Sequence, residues 1–128
     1  MKKPSIKGLK KKADKAFSDY IRTRDNYICI TCGKKGDKHN IDAGHYITRA
    51  ALPTRYIESN VAAQCYFCNR WRQGEKDIMR QKLIDKFGID EIERIETERF
   101  KTVKYSISDY EMLIEYFENK LVELNSKF

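Results

Sequence analysis

The chain has 128 residues, of which 35% are charged and 41% hydrophobic, and carries a net charge of +7. That length suits one domain with a modest core. No run of about 18 apolar residues is present, so no membrane-spanning helix is expected, and the Lys-rich start lacks the apolar stretch of a secretion signal.

Residues 1–8 contain Pro4 and Gly8 and no periodicity, and read as a flexible basic arm. Leu9, Ala13, Phe17, Tyr20 and Ile21 recur at helical spacing and predict a helix over 9–24 with its lysines on the opposite face. Residues 27–49 change character. Tyr27, Ile28 and Ile30 flank Cys29 and Cys32, a turn runs from Gly33 to Asn40, and Ile41 to Thr48 follows. Two short strands joined by a loop are expected there. Residues 50–61 read as an irregular loop. Cys65 and Cys68 open a helical stretch that breaks near Gly74 and resumes through Ile78, Met79, Leu83, Ile84 and Phe87 until Gly88. A short helix over 90–99 and a connector over 102–106 come next. The last helix is expected to start on the capping box Ser108-x-x-Glu111. It carries the apolar stripe Tyr110, Leu113, Ile114, Phe117, Leu121 and Leu124, read as core packing.

The four cysteines form two C-x-x-C pairs with 32 residues between them. Two such pairs can supply four thiolates to one tetrahedral metal. Zinc is expected, because it prefers soft ligands, and a site with every position filled is structural. Redox-active dithiols and unliganded buried cysteines are the alternatives, and the paired spacing favours metal.

The basic groups are concentrated. Residues 1–88 carry 20 basic and 9 acidic side chains, whereas residues 89–128 carry 6 and 10. A polyanion is the natural partner, and nucleic acid the commonest one. Arg49, Arg55, Arg70, Arg72 and Lys76 flank the second pair's surroundings and read as phosphate contacts, Arg49 and Arg55 also as a clamp. Lys10, Lys11 and Lys12, with Lys2, Lys3, Lys7 and Lys15, add salt-sensitive affinity. Trp71 reads as core or helix packing.

Between the pairs lie Asp42-Ala43-Gly44-His45-Tyr46 and Asn60-x-x-x-Gln64-Cys65-x-x-Cys68-Asn69, preceded by Ala16-Phe17-Ser18-Asp19-Tyr20-Ile21-Arg22. A strand with a His, an Asn in a loop and C-x-x-C-Asn opening a helix resembles the HNH (ββα-metal) nucleases. The whole set is similar to the bacteriophage NinG (Rap) recombination proteins over roughly residues 13–125. The resemblance implies an α+β fold. A zinc-stapled ββα-metal core would span 27–87, with an N-terminal helix and C-terminal helices over 89–128, all in one domain from residue 9.

Taken alone, His45 reads as a hydrogen-bonded core histidine, Asp42 as a turn residue and Asn60 as a loop residue. The resemblance implies more: an endodeoxyribonuclease in which His45 is the general base activating water. Asn69 would ligate a catalytic Mg²⁺ or Mn²⁺, and Asn60 would position the motif. Gly44 departs from the family pattern, which has Asp or His there. Asp42, on the same strand face, is the expected substitute ligand. The expected substrates are branched recombination intermediates, Holliday junctions or displacement loops. The expected setting is the cytoplasm of a phage-infected bacterium, and a homodimer would supply two active sites for symmetric cleavage. The rival expectations are an HNH nuclease of ordinary duplex DNA and a non-catalytic zinc-finger module that binds DNA.

Overall fold

The computed structural model of the protein describes residues 4–127. Helix α1 (Ile6–Arg24) begins three residues before the periodicity, because the Ser5 hydroxyl accepts from the Gly8 N–H at 3.0 Å and caps it. The last residues of the expected arm are therefore helical, while Lys2 and Lys3 lie outside the described residues. Leu9, Ala13, Ala16, Phe17, Tyr20 and Ile21 form its buried face.

The sheet is one antiparallel hairpin, β1 (Ile41–His45) with β2 (Val61–Cys65), in the register Ile41↔Cys65 to His45↔Val61. Its long connection, residues 46–60, carries two short 3₁₀ turns. Both strands were expected within 27–49. Instead residues 27–36 make a knuckle with a single bridge, Ile28↔Lys35, and β2 lies where a loop and a helix start were expected. All five residues of β2 are buried, so no alternation marks them, and two are alanines with weak strand preference.

The helix expected at the second cysteine pair is broken. A single π turn, Phe67–Trp71, closes with the Arg72 N–H on the Phe67 carbonyl at 3.1 Å. Gln73, Gly74 and Glu75 then all have positive φ, and α2 (Lys76–Phe87) starts only after them. Gly88, at φ +93°, separates α2 from α3 (Ile89–Glu98) as expected. Helix α4 (Ile107–Asn125) starts on a capping box of Ser106 and Asp109, two residues before the predicted Ser108 and Glu111.

The core has two main parts. Helices α1 and α4 pack together through Phe17 and Phe117, with ring centroids 4.7 Å apart, joined by Tyr20, Tyr56, Val61 and Tyr110. On the other side of the hairpin, Ile47, Ala62, Met79, Leu83, Ile92 and Ile95 seat α2 and α3. The result is an α+β fold in which a β-hairpin beside a four-cysteine cluster is flanked by helices. Among the described residues no helix is long and apolar enough to cross a membrane.

Candidate metal centre and nucleic-acid interface

The first two thiols sit on a tight knuckle. The Gly33 N–H bonds the Cys29 carbonyl at 2.8 Å, and Gly33 adopts the φ of +78° that this turn requires. Cys65 ends β2, and Cys68 lies in the π turn with its N–H on the Cys65 sulfur at 3.4 Å. The four Sγ atoms lie within 4.8 Å of one another and none is in a disulfide. Cys32 and Cys65 are 3.8 Å apart. A tetrahedron with metal–sulfur bonds of about 2.3 Å has edges of about 3.8 Å, so the arrangement fits a structural zinc donor set.

The thiols are unequal. Burial pushes the Cys29 thiol up, but the Thr31 hydroxyl and nearby backbone N–H groups outweigh it and bring it down to about 6. Burial and the neighbouring thiols push Cys68 up to about 12. Burial thus opposes ionisation of Cys68 while local donors favour ionisation of Cys29, and a bound cation favours the thiolate form.

Across the hairpin, α1, β1 and the π turn border an open groove of about 640 Å³. Asp42, His45 and Asn69 line it, with Arg49, Arg70, Lys15 and Lys76 as the cations. Here the sequence expectations need correction. The metal-ligating cluster found among the described residues is all cysteine, and His45 is not part of it. That overturns the reading of a His base working with a single catalytic cation on branched DNA.

The local geometry explains the correction. The His45 Nε2–H donates to the Arg55 carbonyl at 2.9 Å, and Nδ1 is buried without a partner. Burial, seconded by the charges of Arg49 and Arg55, pushes the imidazole down to about 4, so it is neutral near pH 7. The expected Mg²⁺ or Mn²⁺ ligands, Asp42 and Asn69, do meet, but on each other. The Asn69 amide donates to Asp42 at 2.9 Å, and Arg70 forks both oxygens of the same carboxylate at 2.9 Å. Asn60 is fully buried. It accepts from the Ile47 N–H at 2.7 Å and donates to the Ile47 and Thr54 carbonyls at 3.1 Å, which pins the long connection.

The expected DNA contacts divide. Arg49, Arg70 and Lys76 come together on the groove, and Lys76 also donates to the His45 carbonyl. Arg72 lies outside it, over the Phe67 ring and paired with Glu75. Lys11 and Lys12 are exposed on α1, with Lys10 half-buried beside them. Arg55 is not a free clamp: it is buried, with its guanidinium held by both oxygens of Asp14 at 2.9 and 2.6 Å. Trp71, expected to pack, is 79% exposed.

Two residues with positioning roles escaped the sequence reading. Asp14 also takes Tyr56 at 2.7 Å and Arg49 at 3.0 Å, tying α1 to the long connection. Burial raises its carboxyl, but the hydrogen bonds of Arg55 and Tyr56 win and hold it below the usual range. Its signal was an acid beside the buried Ala13 in a run of lysines. Gln64 fills the space over Gly44 while its amide donates to the Gly74 carbonyl at 2.7 Å. A Cβ at Gly44 would lie 3.0 Å from the Gln64 Cβ and closer still to its Oε1. The missing acid at Gly44 thus has a steric cause.

The model of the family described as "Bacteriophage Lambda NinG protein" matches residues 1–127. Protein ninG of Salmonella phage P22 is 34% identical over 116 residues, covering 89% of this chain and 56% of that protein. Protein ninG of Escherichia phage lambda is 32% identical over 118 residues, covering 91% and 57%, respectively. For Escherichia phage 933W the identity is 31% over 118 residues, covering 91% and 58%. The chain therefore spans little more than half the length of these relatives. No solved structure matches it.

Proposed function

Because the chain belongs to the NinG family, we propose that it is a zinc-stapled DNA-binding module of a phage recombination protein. It keeps the hairpin and helix of a ββα-metal scaffold without its hydrolytic chemistry. The observation that carries this reading is the closed tetrad of thiols: with four protein ligands no coordination position is left for water or substrate. The metal's work is then to hold the knuckle against β2 and the π turn.

The partner follows from charge. The basic excess lies in residues 1–88, and Arg49, Arg70, Lys15 and Lys76 line one groove. Their ion pairs with Asp14, Asp42 and Asp19 hold the cations in place and are exchangeable for phosphate. Lys10, Lys11 and Lys12 extend the cationic track along α1. No helix is presented as a base reader, so phosphate contact dominates and affinity is steeply salt-dependent. The acidic α4, packed against α1, repels DNA and leaves the groove as the favoured surface.

The test is fluorescence anisotropy of the zinc-loaded protein with a labelled duplex over a series of salt concentrations. Binding that weakens steeply with salt, and loses about one unit of log–log slope in Arg49→Ala, supports the reading. Absence of binding, or cutting of the DNA when Mg²⁺ or Mn²⁺ is added, overturns it.

A further inference from the structure

The π turn carries an aromatic surface that neither the core nor the groove uses. Trp71 is 79% exposed and Phe67 55%, four residues apart in a turn closed by an i→i+5 hydrogen bond. They therefore stand nearly one turn apart on the same side. Guanidinium groups frame them. Arg72 lies 5.0 Å from the Phe67 ring centre, and Arg70 lies 3.6 Å from that of Tyr66 at the start of the turn. The turn is fixed rather than loose: its base is the Cys68 thiol of the metal cluster, and Gly74 beyond it is held by Gln64.

Of the other apolar side chains more than half exposed among the described residues, Met112, Tyr116 and Val122 lie on the acidic α4, and Phe100, although flanked by Arg99 and Lys101, does not neighbour a residue of the groove in the chain. Trp71 is flanked in the chain by Arg70 and Arg72, each more than half exposed, and Arg70 lines the cationic groove. Exposed ion pairs such as Arg72–Glu75 hold their cations weakly, so a phosphate competes well for them. An exposed aromatic ring on a turn that also carries two arginines complements a nucleotide with its base on the ring and its phosphates on the forks. Bases inside a duplex have no free face to offer, so the occupant is single-stranded.

We propose that Trp71, with Phe67, is a stacking platform for an unpaired nucleobase of single-stranded DNA, with Arg70 and Arg72 taking the flanking phosphates. The proposal rests on the DNA-binding reading above and adds a second mode of contact to it. Stacking on one ring is sequence-tolerant, since every base has a π face. The platform therefore selects for exposed bases and not for their identity.

Trp71 is the chain's single tryptophan, so its emission reports on this position alone. The zinc-loaded protein would be titrated with oligothymidylate, with an abasic oligomer of equal length and charge, and with a labelled duplex. Quenching of Trp71 by oligothymidylate, and affinity about tenfold above that for the abasic strand, is the expected result. In Trp71→Ala that preference for the base-bearing strand is lost, and Trp71→Phe restores most of it. If all three DNAs bind but emission is unchanged and the abasic strand binds equally well, the platform is overturned and the groove reading stands. If no DNA binds, both fail. Unaltered zinc content in each variant excludes a folding defect, and an exposed side chain gives little reason for one.

Discussion

The thiol cluster and the groove both adjoin the same short hairpin, yet their polar groups are satisfied in opposite ways. The four sulfurs converge on one another, an arrangement that is costly until a cation joins them. In the groove each candidate group already has a protein partner: His45 has the Arg55 carbonyl, Asp42 has Arg70 and Asn69, and Asn60 has three backbone groups. Motif spacing alone does not separate these cases. What separates them is whether the side chains leave an unsatisfied point in space for a ligand or close on themselves. The first region needs something from outside; the second is largely closed on itself, with the His45 Nδ1 as its unpaired buried atom.

The contrast is broken most severely at the cluster. The small core there is Cys29, Ile41, Ala63, Cys65 and Cys68, too little apolar volume to hold the knuckle by itself. Chelation, or Cys65→Ser, is expected to cost several kcal/mol and to abolish the cooperative thermal transition. A metal-free protein melting at the same temperature as the loaded one would show that the thiols are simply buried.

Asn60 comes next. Asn60→Ala leaves the Ile47 N–H and the Ile47 and Thr54 carbonyls without their partner in a site closed to water. Urea unfolding should show a loss of about 3 kcal/mol. Asn69→Ala, at the partly exposed end of the Asp42 network, should cost under about 1 kcal/mol. Equal losses at the two positions would undo the division between a buried pin and a surface contact.

Gly44 and Gln64 sharpen the comparison further. Restoring a side chain with Gly44→Ala forces Gln64 aside and should cost about 2 kcal/mol. The same change in a Gln64→Ala background should cost less, since the Oε1 and Cδ atoms are gone and only the Cβ contact at 3.0 Å remains. A double-mutant cycle without coupling would leave the glycine unexplained by this contact.

How much of this was readable beforehand depends on the range of the signal. The α1 face, the Gly74 break, the Gly88 stop and the cysteine pairs are local patterns, and each is found in the structure. Strand β2 was not legible, because full burial erases alternation. The direction of Trp71 was missed because one turn with i→i+5 bonding rotates everything after Phe67 away from an α-helical phase. The groove was half legible: Asp42, His45 and Asn69 were singled out and line one groove. That they close on Arg70 and the Arg55 carbonyl is a long-range fact carried by α1, through Asp14, and by the long connection.

A further expected effect, smaller than that at Gly44, tests the neutral state of His45. Its folded pKa of about 4 lies below the value of about 6.5 for an unfolded chain. A depressed histidine pKa means that protons bind the unfolded chain preferentially. Stability from this group is therefore complete above about pH 6.5 and is lost as pH falls from there towards 4. Between pH 7 and pH 5.5 the loss is about 1 kcal/mol for one proton. Acid release of the metal also acts in this range, so the measurable quantity is the difference between the native protein and His45→Gln, which share the thiols. The variant should lose the histidine component alone. NMR titration of the ring gives an independent reading: a midpoint near 4 agrees with a buried imidazole held by the Arg55 carbonyl. A midpoint near 6.5 would instead mean that the ring is open to water, and that the groove is less completely closed on itself than its contacts imply.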